Sequence, residues 1–171
     1  MEALLRAPRI LAIDDDADTL VGIGQALAGT GFALLTAGDG ARGLEMALRH
    51  APDLIISDIT MPGMDGWTLV KRVRCAPGLA LVPFIFLTDA AADEDRLRGF
   101  QLGADDFVTK PLRPGELSLR VQGSLQRQAR IVGAVRHHLC ASGPLPEQIG
   151  IRGGLEHISL PALLTLLEME R

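Results

Sequence analysis

Along the first 112 residues, short apolar runs alternate with stretches whose apolar positions recur every three or four residues. Arg9 to Ile13 reads as a strand that ends in Asp14-Asp15-Asp16. A helical pattern follows from Asp18, with Leu20, Ile23, Gly24 and Leu27 on one face. Thr30-Gly31 breaks it, Phe32 to Ala37 is a second strand, and Gly38-Asp39-Gly40 reads as a turn. Ala41 to His50 predicts a helix with Leu44, Ala47 and Leu48 inward. Asp53 to Ser57 is a third strand ending at Asp58. After a Pro- and Gly-containing loop, Trp67 to Arg74 is a third helix, Val82 to Leu87 a fourth strand before Thr88, and Ala91 to Leu102 a fourth helix closed by Gly103. Asp106 to Thr109 is a short fifth strand before Lys110-Pro111.

The strands are apolar throughout rather than alternating, which predicts burial on both faces. Strand–helix repetition with short loops predicts an α/β fold with a parallel sheet and right-handed crossovers. In such sheets ligands bind at the carboxyl ends of the strands. Asp14, Asp15, Asp58, Thr88 and Lys110 all fall at predicted carboxyl ends, so five chemically useful residues should meet on one rim.

Charge adds weight to that rim. Residues 1–112 carry 16 carboxylates against 10 cations, whereas residues 113–171 carry 5 against 7. The small positive excess at the end makes no case for nucleic acid. Of 17 basic residues only Lys71 and Lys110 are lysine, so each lysine in this arginine-writing chain invites a reason. No apolar run is long enough to span a bilayer, the first nine residues lack the core of a signal peptide, and Cys75 and Cys140 read as two reduced thiols. A cytoplasmic chain is the expectation.

Three carboxylates on one rim repel unless a cation compensates or their pKa values rise. An oxygen-only set suits a hard divalent ion, and Mg²⁺ takes few carboxylates and completes its shell with water and phosphate oxygens. Asp58, exposed at a strand end beside such an ion, can attack phosphorus and form an acyl phosphate. The backbone carbonyl of Thr60 is a further candidate ligand, Lys110 offers a point charge for phosphoryl oxygens, and Thr88 a hydroxyl. Each residue also has an ordinary reading. The Asp14 to Asp18 run can cap a helix, and Asp16 and Asp18 are taken as cap and surface. Asp53 and Asp65 suit turns, and the adjacent His137 and His138 a surface.

Ile13-Asp14-Asp15, then Asp58 followed by Met61-Pro62 and Asp65-Gly66, then Leu87-Thr88 and Lys110-Pro111, together resemble the receiver domain of bacterial two-component response regulators. The resemblance covers about residues 8–127. It implies a CheY-like, flavodoxin-like doubly wound sheet of five parallel strands in the order 2-1-3-4-5. It also implies a phosphorelay switch that accepts a phosphoryl group on Asp58 from a histidine kinase or phosphotransfer protein. Asp15 is then the more direct Mg²⁺ ligand and Asp14 acts largely through water. Thr88 is the switch hydroxyl, Lys110 binds the phosphoryl group, and Lys110-Pro111 is a cis peptide. Phe107 stands where many relatives carry a switch tyrosine. The chain has no Tyr, so inward rotation of Phe107 is expected to be rewarded by apolar burial alone.

Beyond Arg113 the pattern continues where a compact receiver would stop. Ser118, Val121, Leu125, Gln128, Val132, Val135 and Leu139 step by three and four, a heptad-like seam. The expectation is one long helix to about residue 141 that pairs two protomers. Residues 128–146 form this extension and a linker. Residues 147–171, with Ser159, Pro161 and a leucine-rich face, resemble the opening of a PATAN-type domain, so the chain is expected to be a piece of a longer protein.

Two other functions compete. Asp14-Asp15-Asp16 contains an Asp-x-Asp of the kind used by haloacid-dehalogenase phosphohydrolases, although Asp18 departs from that pattern and no segment reads as a cap domain. A receiver-like scaffold that is never phosphorylated is the other. No helix-turn-helix, cyclase signature or methylesterase triad is visible, so the chain is not expected to be an enzyme beyond its own phosphoryl transfer and loss.

Overall fold

The computed structural model describes residues 6–89 and 93–141. Five strands, β1 (Arg9–Ile13), β2 (Ala33–Ala37), β3 (Leu54–Asp58), β4 (Phe84–Thr88) and β5 (Asp106–Thr109), alternate with helices α1 (Ala17–Leu27), α2 (Gly40–His50), α3 (Gly66–Cys75), α4 (Asp93–Gln101) and α5 (Pro114–Ala141). All neighbouring strands are parallel, in the order β2-β1-β3-β4-β5. The expected doubly wound sheet is therefore present.

Side chains alternate across a strand, so each strand serves two cores. Leu11, Ile13, Ile55, Phe84, Phe86 and Phe107 face one side with Ala47 of α2 and Leu69, Val70 and Val73 of α3. Ile10, Ala12, Ile56, Ile85, Leu87 and Val108 face the other, against Ile23, Ala26 and Leu27 of α1 and Leu117 and Val121 of α5. Full burial of such side chains stabilises by about 1.5–3 kcal/mol each, which explains why strands without polar alternation hold the centre.

Helix starts are fixed by aspartates. Asp16, Asp39 and Asp65 accept hydrogen bonds from the free N–H groups of α1, α2 and α3, an arrangement worth about 1 kcal/mol per cap. Asp16 thus has the capping role expected of it. Asp53 holds the start of β1, accepting from Arg9 N at 2.7 Å and pairing with Arg6.

Leu48, expected inward, is 57% exposed. The buried arc of α2 runs through Gly40, Gly43 and Ala47. The helix approaches so closely that a Cβ on Gly43 would meet the Ile13 side chain at 2.5 Å, and one on Gly40 would meet the Met64 backbone. Small residues mark this face, not large ones. Arg74 is a tie between loops that the pattern did not suggest. Its guanidinium donates to the carbonyls of Gly103, Ala80 and Val82 and to Asp105, joining the ends of α3 and α4 to the entry of β4.

α5 is continuous over 28 residues. Its first turns pack on α1 through Leu117, Val121 and Ser124, with Leu125 partly buried. Ser118, placed on the seam by spacing, is only half-buried, because the inward stripe passes through Leu117 instead. Arg120 bridges Asp106 of β5 at 2.8 Å and Glu116 at 2.9 Å. The side chains of Val135 and Leu139 and the segment compared with a PATAN-type domain lie outside the described residues. Among the described residues no helix is long and apolar enough to cross a membrane.

Candidate functional site

The carboxyl ends of β1, β3, β4 and β5 form one rim. Asp14 and Asp15 follow β1 directly, Asp58 is the last residue of β3, Thr88 the last of β4, and Lys110 follows β5. Strand pairing sets the register: Ile13 lies beside Ser57 and Asp58 beside Leu87. Lys110 N donates to Thr88 O at 2.8 Å, tying β5 to β4. All five residues expected at the rim are there.

Asp14 is buried and Asp15 exposed; Asp58, expected to stand exposed at its strand end, is buried instead, at 6% exposure, and one oxygen from each of the three lies within 4.8 Å of the others. Lys110 Nζ is 2.9 Å from Asp14 Oδ2 and 2.9 Å from Asp58 Oδ1. The second oxygens are held by backbone: Asp16 N donates to Asp14 Oδ1 and Thr60 N to Asp58 Oδ2, each at 2.9 Å. Both carboxylates are therefore fixed in direction before anything binds.

Burial pushes the Asp14 carboxyl above its ordinary range, and the nearby charge of Asp58 adds to this, only partly offset by Lys110 and the Asp16 N–H. Burial alone would lower Lys110, but its bonds to Asp58 and Asp14 overcome that and hold it above its usual value. One lysine thus serves two carboxylates, with a third beside them.

A divalent cation fits this donor set. The three carboxylates supply oxygen only, Asp14 Oδ2 is buried and receives no hydrogen bond beyond its ion pair with Lys110, and the exposed Asp15 leaves water access to complete a shell. Asp16 is committed to its cap, accepting from Thr19 Oγ1 at 2.7 Å, and is not part of the cluster.

The Lys110–Pro111 peptide is cis. Phe107 is 1% exposed. Its ring sits 5.4 Å from Phe86 and 5.1 Å, edge-on, from Phe100 of α4. The inward position to which it was expected to rotate is already filled in this structure. A ring flip from outside to inside is thus not available here, and any change at Phe107 must involve α4.

Sequence reasoning missed two glycines that shape the site. A Cβ on Gly66 would meet the Asp58 carbonyl and lie 2.8 Å from Phe86. Gly66 N also donates to Ile59 O at 2.8 Å, closing the loop that carries Thr60. A Cβ on Gly99 of α4 would overlap the Phe107 ring. Gly66 was visible only as part of a loop motif; Gly99, inside a helical pattern, was the better signal. Trp67, under Arg98 at 4.9 Å and 4.8 Å from Phe86, extends the aromatic chain from Phe107 to α3.

Comparison with known proteins agrees with this geometry. The family model described as the response regulator receiver domain matches residues 10–122. The DNA-binding dual master transcriptional regulator RpaA of Synechocystis is 39% identical over 141 residues, covering 81% of this chain and 58% of RpaA. The transcriptional regulatory protein PrrA of Mycobacterium tuberculosis is 38% identical over 128 residues, covering 75% of this chain and 54% of PrrA. The chain therefore spans little more than half the length of these relatives. Among solved structures, the chemotaxis response regulator CheY4 of Vibrio cholerae superposes with a TM-score of 0.66 at 31% identity, covering 69% of this chain and 98% of that one. A CheY-like receiver domain protein from Methanospirillum hungatei gives 0.68 at 27%, covering 72% and 98%. The expectation of no nucleic-acid partner fits poorly with relatives named as transcriptional regulators, one of them as DNA-binding.

Proposed function

Because the chain belongs to the response-regulator receiver family, a family of phospho-accepting switches in two-component signalling, we propose that Asp58 is the residue that carries the phosphoryl group. Asp14, Asp15, Asp58 and the Thr60 carbonyl would hold Mg²⁺, and Lys110 and Thr88 would receive the phosphoryl oxygens. The observation that carries this reading is the meeting of Asp14, Asp15, Asp58 and Lys110 from three strand ends, with Lys110 Nζ 2.9 Å from Asp58 Oδ1.

A carboxylate oxygen of Asp58 attacks the phosphorus of a phosphohistidine on a histidine kinase or phosphotransfer protein. The O–P bond forms as the P–N bond breaks, and the departing imidazole takes a proton from solvent. Bound Mg²⁺ supplies charge neutralisation for the phosphoryl oxygens. The Thr60 N–H holds the acceptor carboxylate in place, and Lys110 meets the incoming charge. Water later cleaves the acyl phosphate, returning inorganic phosphate and the free carboxylate. Nearly two negative charges arrive at one point, drawing Thr88 and Lys110 inward, and Phe107 passes the change to α4 through Gly99 and Phe100. Beyond this self-directed chemistry the chain turns over no substrate. Asp16, the second aspartate of the Asp-x-Asp that a hydrolase would use, is committed to capping α1 and lies outside the carboxylate cluster, which speaks against that reading. A kinase partner of this kind implies a cytoplasmic setting. A second copy of the chain, met through the helix after Arg113, is the other proposed partner.

Mass spectrometry after treatment with acetyl phosphate and Mg²⁺ tests the assignment. One phosphoryl group per chain is expected on the wild type and none on Asp58→Asn. An unlabelled wild type, or equal labelling of both, overturns it.

A further inference from the structure

α5 is one helix with two different surroundings. In its first half the inward stripe, Leu117, Val121 and Ser124, is buried against the receiver. At 100° per residue the same stripe continues in phase through Leu125, Gln128 and Val132, and by spacing through Val135 and Leu139. Ile131 borders it and is 51% exposed. Crossover helices run against the strands, so this second half leaves the receiver at the sheet edge opposite Asp58. Residues 126–141 extend about 24 Å along the axis.

Intrinsic helicity does not hold this half. A segment of about 16 residues is marginal alone in water, and Gly133 and the β-branched Ile131, Val132 and Val135 weaken it further. The nature of the missing partner follows from the stripe. Residues 126–141 contain no carboxylate; Arg127 and Arg130 are exposed, and Arg127 reaches back to donate to Ser124 Oγ at 2.8 Å, in the covered half of the stripe. The surface to be covered, the seam positions Leu125, Gln128 and Val132 continued by spacing through Val135 and Leu139, is uncharged and apolar apart from one amide, and Arg127, Arg130 and Arg136 fall outside it. Its complement is a surface of the same kind. Gln128 selects among arrangements: parallel, in-register pairing sets amide against amide, whereas antiparallel or slipped pairing sets it against apolar side chains.

We propose that residues 125–141 of α5 pair with the same residues of a second copy as a parallel, in-register two-helix coiled coil, with Gln128 facing Gln128 at the seam. This rests on the reading of the helix after Arg113 as a pairing element and specifies its seam, direction and register. The two receivers then sit side by side at one end of a shared rod.

The test uses the full chain with Cys75→Ser and Cys140→Ser, to which Gln128→Cys or Arg130→Cys is added. Seam residues of parallel helices lie within disulfide reach, whereas outer-face residues do not. Mild oxidation should link Gln128→Cys into a covalent dimer and leave Arg130→Cys unlinked. Light scattering of the parent chain should give a dimer, and Val132→Glu should weaken it by at least about tenfold, since a charge enters an apolar seam. A monomer at all concentrations, as would follow if residues 142–171 of the same chain covered the stripe, overturns both the seam and the pairing. A dimer that ignores Val132→Glu, or links equally at both cysteines, overturns the seam but leaves pairing through another surface. Acetyl phosphate labelling of the same samples reports separately on Asp58, and should be unchanged by every variant.

Discussion

The ring of Phe107 fills the space that Gly99 leaves on α4, so closely that the smallest side chain would overlap it. Phe86 backs the ring from the sheet and Phe100 closes it from the helix. β5 and α4 are thereby seated on each other at Phe107.

Gly99→Ala should destabilise the protein by about 1–3 kcal/mol, the cost of overpacking a filled core. Gly123→Ala is the matched control. It lies in α5, where an added Cβ meets only Arg127 at 3.6 Å, and should gain up to about 1 kcal/mol from helix propensity. Urea denaturation of the two variants compares them directly; equal midpoints would mean that α4 does not hold the ring.

Removing the shared cation at the rim should expose the conflict it resolves. Lys110→Met leaves two buried carboxylates without a counter-charge. Without divalent ions it should lose about 2–4 kcal/mol, toward the range seen when one member of a buried pair is deleted. Added Mg²⁺ should raise its urea midpoint more than that of the wild type, because a bound ion stabilises only the folded chain. Identical responses to Mg²⁺ would show that lysine and ion do not answer to the same carboxylates.

Two aspartates should shape the acid limb with opposite signs. Hydrogen bonds from the Thr68 side chain and backbone hold Asp65 below its usual value of 3.8. Its charge therefore stabilises the fold above that value, and the contribution is lost as pH falls through the lower folded value. Asp14 is held above 3.8 by burial, so the cost of its charge appears as pH rises from 3.8 through the raised folded value. Asp65→Asn should flatten the acid loss. Asp14→Asn should raise stability at neutral pH without divalent ions and leave it unchanged near about pH 3.5. Urea titrations across this range decide the matter, and a loss of stability in Asp14→Asn at neutral pH would contradict the sign.

Much of this molecule was legible because its signals are of long period or fixed spacing. The five strands, their parallel direction and the rim residues followed from apolar runs that end at Asp14, Asp58, Thr88 and Lys110, whereas the strand order followed from the resemblance to receiver domains. Close approach was not legible. Leu48 looked inward because it is large, whereas α2 is buried through Gly40 and Gly43, whose lack of a side chain is what brings it near. Nothing in the sequence marked Arg74 beyond its place at a helix end, since no pattern reveals that three carbonyls from distant loops converge on it. Phe107 was identified by position, but only coordinates show its ring already enclosed.

Arg120 grips β5 through Asp106 and its own helix through Glu116, one residue from Phe107 in sequence on the strand side. The pivot of α5 is therefore short and its free arm long. A tilt of about 5° at that pivot sweeps the far end by roughly 2 Å over an arm of about 24 Å. Sub-ångström settling in the core would thus be read at the tip as displacement on the scale of a side chain, with a gain set by the length of one helix.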